Sequence, residues 1–126
     1  MPLTKLDAIP ALVVIDLQKG IVAMPAVHPV GEIIARTAQL ARVFRERGLP
    51  IVLVRVTGAG ARSSAHRCMT ARSAWEYGYN VVPVVDAMTD RDDDAHRHSV
   101  EKIFPRLGER ATTGDVLKLL REVPAR

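Results

Sequence analysis

The sequence predicts an α/β fold built on a parallel sheet, and three observations carry that prediction. Ala11-Leu12-Val13-Val14-Ile15 is an unbroken apolar run that ends on Asp16 and a polar turn. A run of this length without alternation fits a strand buried on both faces. A second such run, Ile51-Val52-Leu53-Val54-Arg55-Val56, follows a helical pattern after a short link. Strand, helix and strand with short links form a right-handed βαβ unit, which requires parallel strands. A third run, Tyr79-Asn80-Val81-Val82-Pro83-Val84-Val85, reaches Asp86 in the same way.

Each element has its own justification. The first strand begins after Pro10 and stops at the turn Asp16-Leu17-Gln18-Lys19-Gly20. Ligands meet parallel sheets at the C-terminal ends of the strands, where Asp16 lies. An irregular connection follows, in which His28 stands in a proline-flanked loop and is assigned no role. From Val30, the residues Ile33, Ile34, Thr37, Ala38, Leu40, Ala41 and Phe44 recur at helical spacing, with Arg36, Gln39, Arg42, Arg45 and Glu46 facing out. Gly48 is a left-handed cap and Pro50 blocks continuation.

Thr57-Gly58-Ala59-Gly60-Ala61 is a glycine-rich turn that matches neither a dinucleotide fingerprint nor a phosphate loop. A helix is expected from Arg62 to Tyr77, with Ser63 or Ser64 as cap, Ala65, Met69, Ala71, Ala74 and Trp75 on its apolar side, and Gly78 as the stop. In the third strand Pro83 cannot donate to a ladder, which places it at an edge or a bulge. Thr89 and Asp90 offer caps for the next helix, and Asp92, Asp93 and Asp94 put negative charge in its first turn. Pro105 is expected to end that helix, and Thr112-Thr113-Gly114-Asp115 starts the last one.

Composition narrows the function classes. The 126 residues form one domain, 1–126, with 48% hydrophobic and 25% charged residues, enough to bury roughly two-thirds of the unfolded surface. The net charge of +4 comes from scattered arginines, and the chain has one Trp, two Tyr and two Phe. That is no nucleic-acid footprint, which concentrates charge and interleaves aromatics. A single cysteine excludes an internal disulfide and fits a reducing compartment. No signal-peptide pattern and no apolar run of membrane length is present, so a cytoplasmic protein without a membrane partner is expected. His96 and His98 are two residues apart and face different ways on a helix, so no metal is expected, and no cofactor either.

Several motifs occur in a fixed order. They are Val13-Val14-Ile15-Asp16-Leu17-Gln18, the strand after Pro50, Thr70-Ala71-Arg72-Ser73-Ala74, Gly78-Tyr79-Asn80-Val81, Asp86-Ala87-Met88-Thr89-Asp90, Ala95-His96-Arg97-His98-Ser99-Val100, Ile103-Phe104-Pro105-Arg106-Leu107-Gly108 and Thr112-Thr113 before Val116-Leu117. In this order the chain resembles the isochorismatase-like cysteine hydrolases. The resemblance implies a three-layer α/β/α sandwich on a parallel, Rossmann-like sheet. It also implies cysteine-dependent hydrolysis of an amide C–N bond, or of an enol ether, in a small-molecule substrate. An Asp takes the thiol proton, a Lys supports the charged state, a Cys at a helix N-terminus attacks, and a backbone hole holds the oxyanion. By this resemblance Asp16 is the general base and Gln18 is a substrate-binding residue.

The chain departs from the family pattern in two places. The family carries two more strands with their crossovers between the equivalents of Val56 and Thr70, roughly sixty residues at about thirty per βαβ unit. The sheet is therefore expected to be reduced by about two strands, with an internal deletion near 58–66. The deletion removes the strand that bears the lysine; no lysine occurs between Lys19 and Lys102. The family nucleophile would fall at His66. Cys68 is two residues later, a rotation of roughly 200° on a helix, and is out of register as a nucleophile.

The sequence thus reads as a shortened hydrolase domain, weakly active or inactive because its catalytic set is incomplete. Substrate would sit beside Asp16, Val56 and Asp86, while Asp86, Thr89 and His96 pack and order the loops. The alternative is a non-catalytic remnant or interaction protein. The missing neighbour would leave the 12–15 strand with an open edge unless 81–85 closes against it, and an open apolar edge predicts a homo-oligomer.

Overall fold

A computed structural model describes residues 3–15, 17, 22–23, 26, 28–54, 63–90 and 92–123, with the backbone alone described over 63–69. The architecture is mixed α/β around a parallel sheet, as the sequence predicts. Strands β1 (Leu12–Ile15) and β2 (Ile51–Val54) pair in parallel from Leu12↔Ile51 to Ile15↔Val54. Leu12 N also donates to Pro50 O at 3.0 Å. Among the described residues the sheet has these two strands only.

Helix α1 (Val30–Glu46) is the crossover, and it buries Ile33, Leu40 and Phe44 at helical spacing. It ends as the Gly-Leu-Pro signal requires. Gly48 adopts φ 68°, Gly48 N donates to Arg45 O at 3.1 Å, and Leu49 N donates to Phe44 O at 2.8 Å, which closes the last turn. Leu40, Phe44, Leu49, Ala111, Val116 and Leu120 make the core, with Leu12 and Ile51 packed against it. Side chains alternate along a strand, so the opposite sheet face carries Val13 and Val52, left 45% and 47% exposed.

Helix α2 (Ser63–Glu76) matches the expected span. Gly78 stops it at φ 86°, and Tyr79 N donates back to Ala74 O at 3.1 Å. Its expected apolar side is covered only in part: Ala71 and Ala74 are half-buried, whereas Trp75 is 50% exposed.

The third run does not form a sheet strand. Residues 81–84 are extended, but they meet 108–111 through isolated bridges, Val81↔Gly108 and Val84↔Ala111, and Val85–Ala87 tightens into a 3₁₀ turn. Pro83 lacks the donor a ladder needs, yet its carbonyl accepts from Ala111 N at 3.0 Å. The segment therefore pairs where only its acceptors and Val85 N are required, and it does not close against β1.

Two helix boundaries also differ from expectation. The cap of α3 (Asp93–His98) is Asp92, whose carboxylate accepts from Asp94 N and Ala95 N, not Thr89 or Asp90; the Thr89 hydroxyl is engaged with His28 instead. Pro105 does not end the helical stretch. A π-helical turn over Ser99–Ile103 intervenes, and α4 (Phe104–Leu107) starts afresh with Pro105 in its first turn, where the missing N–H is not needed. Helix α5 (Thr113–Leu120) opens with a capping box between Thr112 and Asp115. The hydrogen bond from Thr112 N holds the Asp115 carboxyl below its ordinary range.

Gly108 marks the tightest approach. A Cβ there would overlap the Val81 carbonyl oxygen, so only glycine lets the two backbones meet. Gly108→Ala should cost about 1–3 kcal/mol, read as a lower urea midpoint at unchanged slope. Wild-type stability in that variant would show that the close approach is not required.

Candidate functional site

The C-terminal end of β1 opens on a cavity of about 1070 Å³. All four β1 residues line it, as do Leu17 beyond the strand, Ile33, Thr37 and Leu40 of α1, Thr70, Ala71, Ala74 and Trp75 of α2, and residues 81–84. The walls are largely apolar because both the α1 core face and the β1 strand contribute to them. Thr37 offers little polarity, since its hydroxyl donates to Ile33 O at 2.8 Å within its own helix.

Polar groups gather at two places on the rim. Near the chain start, Asn80 Nδ2 donates to both Asp7 carboxylate oxygens at 3.1 Å. Thr4 N donates to Glu109 Oε2 at 2.9 Å and its hydroxyl to Oε1 at 2.8 Å, which holds the Glu109 carboxyl below its ordinary range. These bonds tie the segment leading into β1 across to residues 80 and 109. The second group includes Thr89 and the buried Asp90, both of which line the cavity. His28 N donates to Thr89 Oγ1 at 3.2 Å, and His28 Nδ1 stands 2.8 Å from the same oxygen. The His28 and His96 rings lie 4.7 Å apart at 60°.

The expected site residues fare differently. Asp16 and Gln18 lie outside the described residues, as do Lys19 and Val56. The described neighbours of Asp16, Ile15 and Leu17, line the cavity. Cys68 falls within α2, two residues before Thr70, and its side chain lies outside the described residues. The glycine-rich turn at 57–61 also lies outside them. Asp86 is not part of the cavity wall. Its Oδ1 accepts from Thr113 N at 2.7 Å and from Thr113 Oγ1 at 2.9 Å, and Arg36 donates to its carbonyl at 2.7 Å. Asp86 therefore locks α5 and α1 to the 3₁₀ turn, in keeping with the packing role expected of it.

His28 was missed. It lies 61 residues from Thr89, and nothing in its local sequence announces the contact. Among the described residues no three His, Cys, Asp or Glu side chains cluster closely enough to hold a metal ion. No helix among them is long and apolar enough to cross a membrane.

Comparison with known proteins shows what this chain is similar to. The family model for the isochorismatase domain matches residues 10–69, from before β1 into α2. The solved structure of an isochorismatase family protein from Burkholderia thailandensis superposes with a TM-score of 0.79 at 27% identity, covering 93% of this chain and 98% of that one. These matches support membership of the isochorismatase-like family. The uncharacterized isochorismatase family protein YecD of Escherichia coli O157:H7 is 25% identical to it over 179 aligned positions, covering 87% of this chain and 95% of YecD. More than a third of those positions therefore have no residue in this 126-residue isochorismatase-like chain. YwoC of Bacillus subtilis (strain 168), another uncharacterized family protein, is 35% identical over 80 residues, 62% of this chain and 39% of YwoC.

Proposed function

We propose that this protein is a shortened isochorismatase-like hydrolase domain with little or no turnover of its own. Family chemistry would be cysteine-dependent hydrolysis of an amide C–N bond, or of an enol ether, in a small molecule. Asp16 is the inherited general base, Gln18 a substrate contact, and Cys68 a thiol out of register with the family nucleophile. The observation that carries this reading is the cavity beside β1. At the C-terminal end of β1 the wall is formed by Ile15, Leu17 and the Thr70–Ala74 side of α2, and no lysine occurs in the chain between Lys19 and Lys102. The unmatched positions in the YecD alignment support an internal loss of sheet and crossover. A carboxylate without its lysine, and without a thiol in register, supplies neither the activated nucleophile nor the charge balance that hydrolysis needs.

The test is a panel of small amides and a vinyl ether assayed with the wild type, Asp16→Asn and Cys68→Ser. All three should give the same background rate. A wild-type rate that falls by a hundredfold or more in Asp16→Asn, within the usual range of about 10²–10⁴ for a general base, would establish a working hydrolase and contradict the proposal.

A second reading is favoured by the outer side of β2. Leu53 is 75% exposed and Val52 47%, and β1 is the only strand paired with β2 among the described residues. An apolar edge of this kind promotes association, so the chain is a homo-oligomer through it. Sedimentation should show concentration-dependent association that Leu53→Lys weakens. A monodisperse, cooperatively melting monomer would remove this reading.

A further inference from the structure

The cavity beside β1 has a property that hydrolysis does not use. In a parallel ladder, alternate residues of a strand bond to the same neighbour. Leu12 N donates to Pro50 O, so Leu12 and Val14 serve β2, and the peptide groups of Val13 and Ile15 point to the other edge. That edge faces the cavity, since all four β1 residues line it. Across the cavity, residues 81–84 meet 108–111 through the isolated bridges Val81↔Gly108 and Val84↔Ala111 and do not pair with β1. Among the described residues no third strand reaches β1.

Such a cavity is selective about its occupant. Apolar walls favour apolar side chains, whereas a strand edge requires hydrogen-bonding partners. A small hydrocarbon would satisfy the walls and leave the peptide groups unpaired. Water would satisfy the peptide groups and leave the walls wet. An extended backbone with apolar side chains satisfies both. Walls on both faces call for a continuous apolar run, not an alternating one, and a four-residue edge matches a strand of about five residues. A second copy of the chain is a poor donor, because its apolar strands β1 and β2 are paired to each other and packed on α1.

We infer that this slot binds an apolar β-strand from a separate polypeptide, added in parallel or antiparallel sense to the open edge of β1. The inference rests on the shortened-sheet reading and deepens it: the partner supplies in trans the kind of strand that is missing beside β1 among the described residues. Main-chain hydrogen bonds would give the affinity and the cavity walls the preference for apolar side chains.

Trp75, the sole tryptophan, lines the cavity and is half-exposed, so it reports entry directly. The probe is a synthetic peptide with a five-residue valine–isoleucine run flanked by lysines, and the control is the same peptide N-methylated at alternate residues of the run. The first should move Trp75 emission to shorter wavelength and raise Tm by roughly 5 °C at tenfold its Kd; the control should do neither. Val13→Pro removes an N–H aimed at the slot while sparing the donors to β2, and Ala74→Leu narrows the slot from α2. Each should weaken binding at least tenfold, and Ala74→Leu keeps the test alive should Val13→Pro not fold.

The proposal is overturned if the strand peptide leaves Trp75 and Tm unchanged at millimolar concentration, or if the N-methylated control acts equally well. Undiminished binding by both variants also overturns it. So does a peptide-free dimer in which Trp75 is already shielded and the peptide has no effect. The hydrolysis panel reports separately on the shortened-site reading. An inactive chain that ignores the peptide defeats this inference alone, whereas Asp16-dependent turnover defeats the reading beneath it.

Discussion

A parallel strand pair cannot be closed by a tight turn, and each of its strands satisfies only one edge through its partner. The β1–β2 ladder places both constraints on this chain. The first is met by α1, whose Leu40 and Phe44 bury the Leu12 and Ile51 side of the pair and join it to Val116 and Leu120 of α5. The second is unmet within the described residues. The inner edge of β1 faces a cavity, and β2 presents Leu53 to solvent. The proposed loss of strands accounts for both open edges, because parallel sheets ordinarily extend to either side and are covered on both faces.

The C-terminal half holds together by means that do not depend on the sheet. Residues 81–84 bridge to 108–111, and Gly108 permits the close approach that this needs. Asp86 anchors the start of α5 through Thr113 and is itself held by Arg36 of α1. Thr4 and Asp7 tie the segment before β1 to Glu109 and Asn80. Hydrogen bonds and one core thus connect the flanks of the cavity without filling it. The same geometry leaves a strand edge open inside apolar walls.

Local signals were legible in the sequence wherever a residue type dictates its own backbone. Gly48 and Gly78 closed their helices at positive φ as expected, and Thr112 with Asp115 formed the expected start of α5. Pairing was less legible. Residues 81–85 have strand composition, but Pro83 and the approach of Gly108 direct them to 108–111, which depends on tertiary geometry. Pro105 stops a helix in isolation; the π-helical turn before it removes the conflict. Thr89 and Asp90 gave way to Asp92 as a cap because the helix starts only at Asp93, and the Thr89 hydroxyl is engaged by His28, distant in sequence. For the site, the motif order led to the family, while the contacts of His28 had no sequence signature.

The central claim is that one edge of β1 is bonded to β2 and that the other meets no strand among the described residues. Amide hydrogen exchange of the free protein reads it residue by residue, because protection follows the hydrogen bonds that must open. The amides of Leu12 and Val14 should be protected by pairing with β2, and those of Val13 and Ile15 should exchange at least tenfold faster. Equal, strong protection at all four positions would mean that β1 is paired on both edges, and would contradict the account.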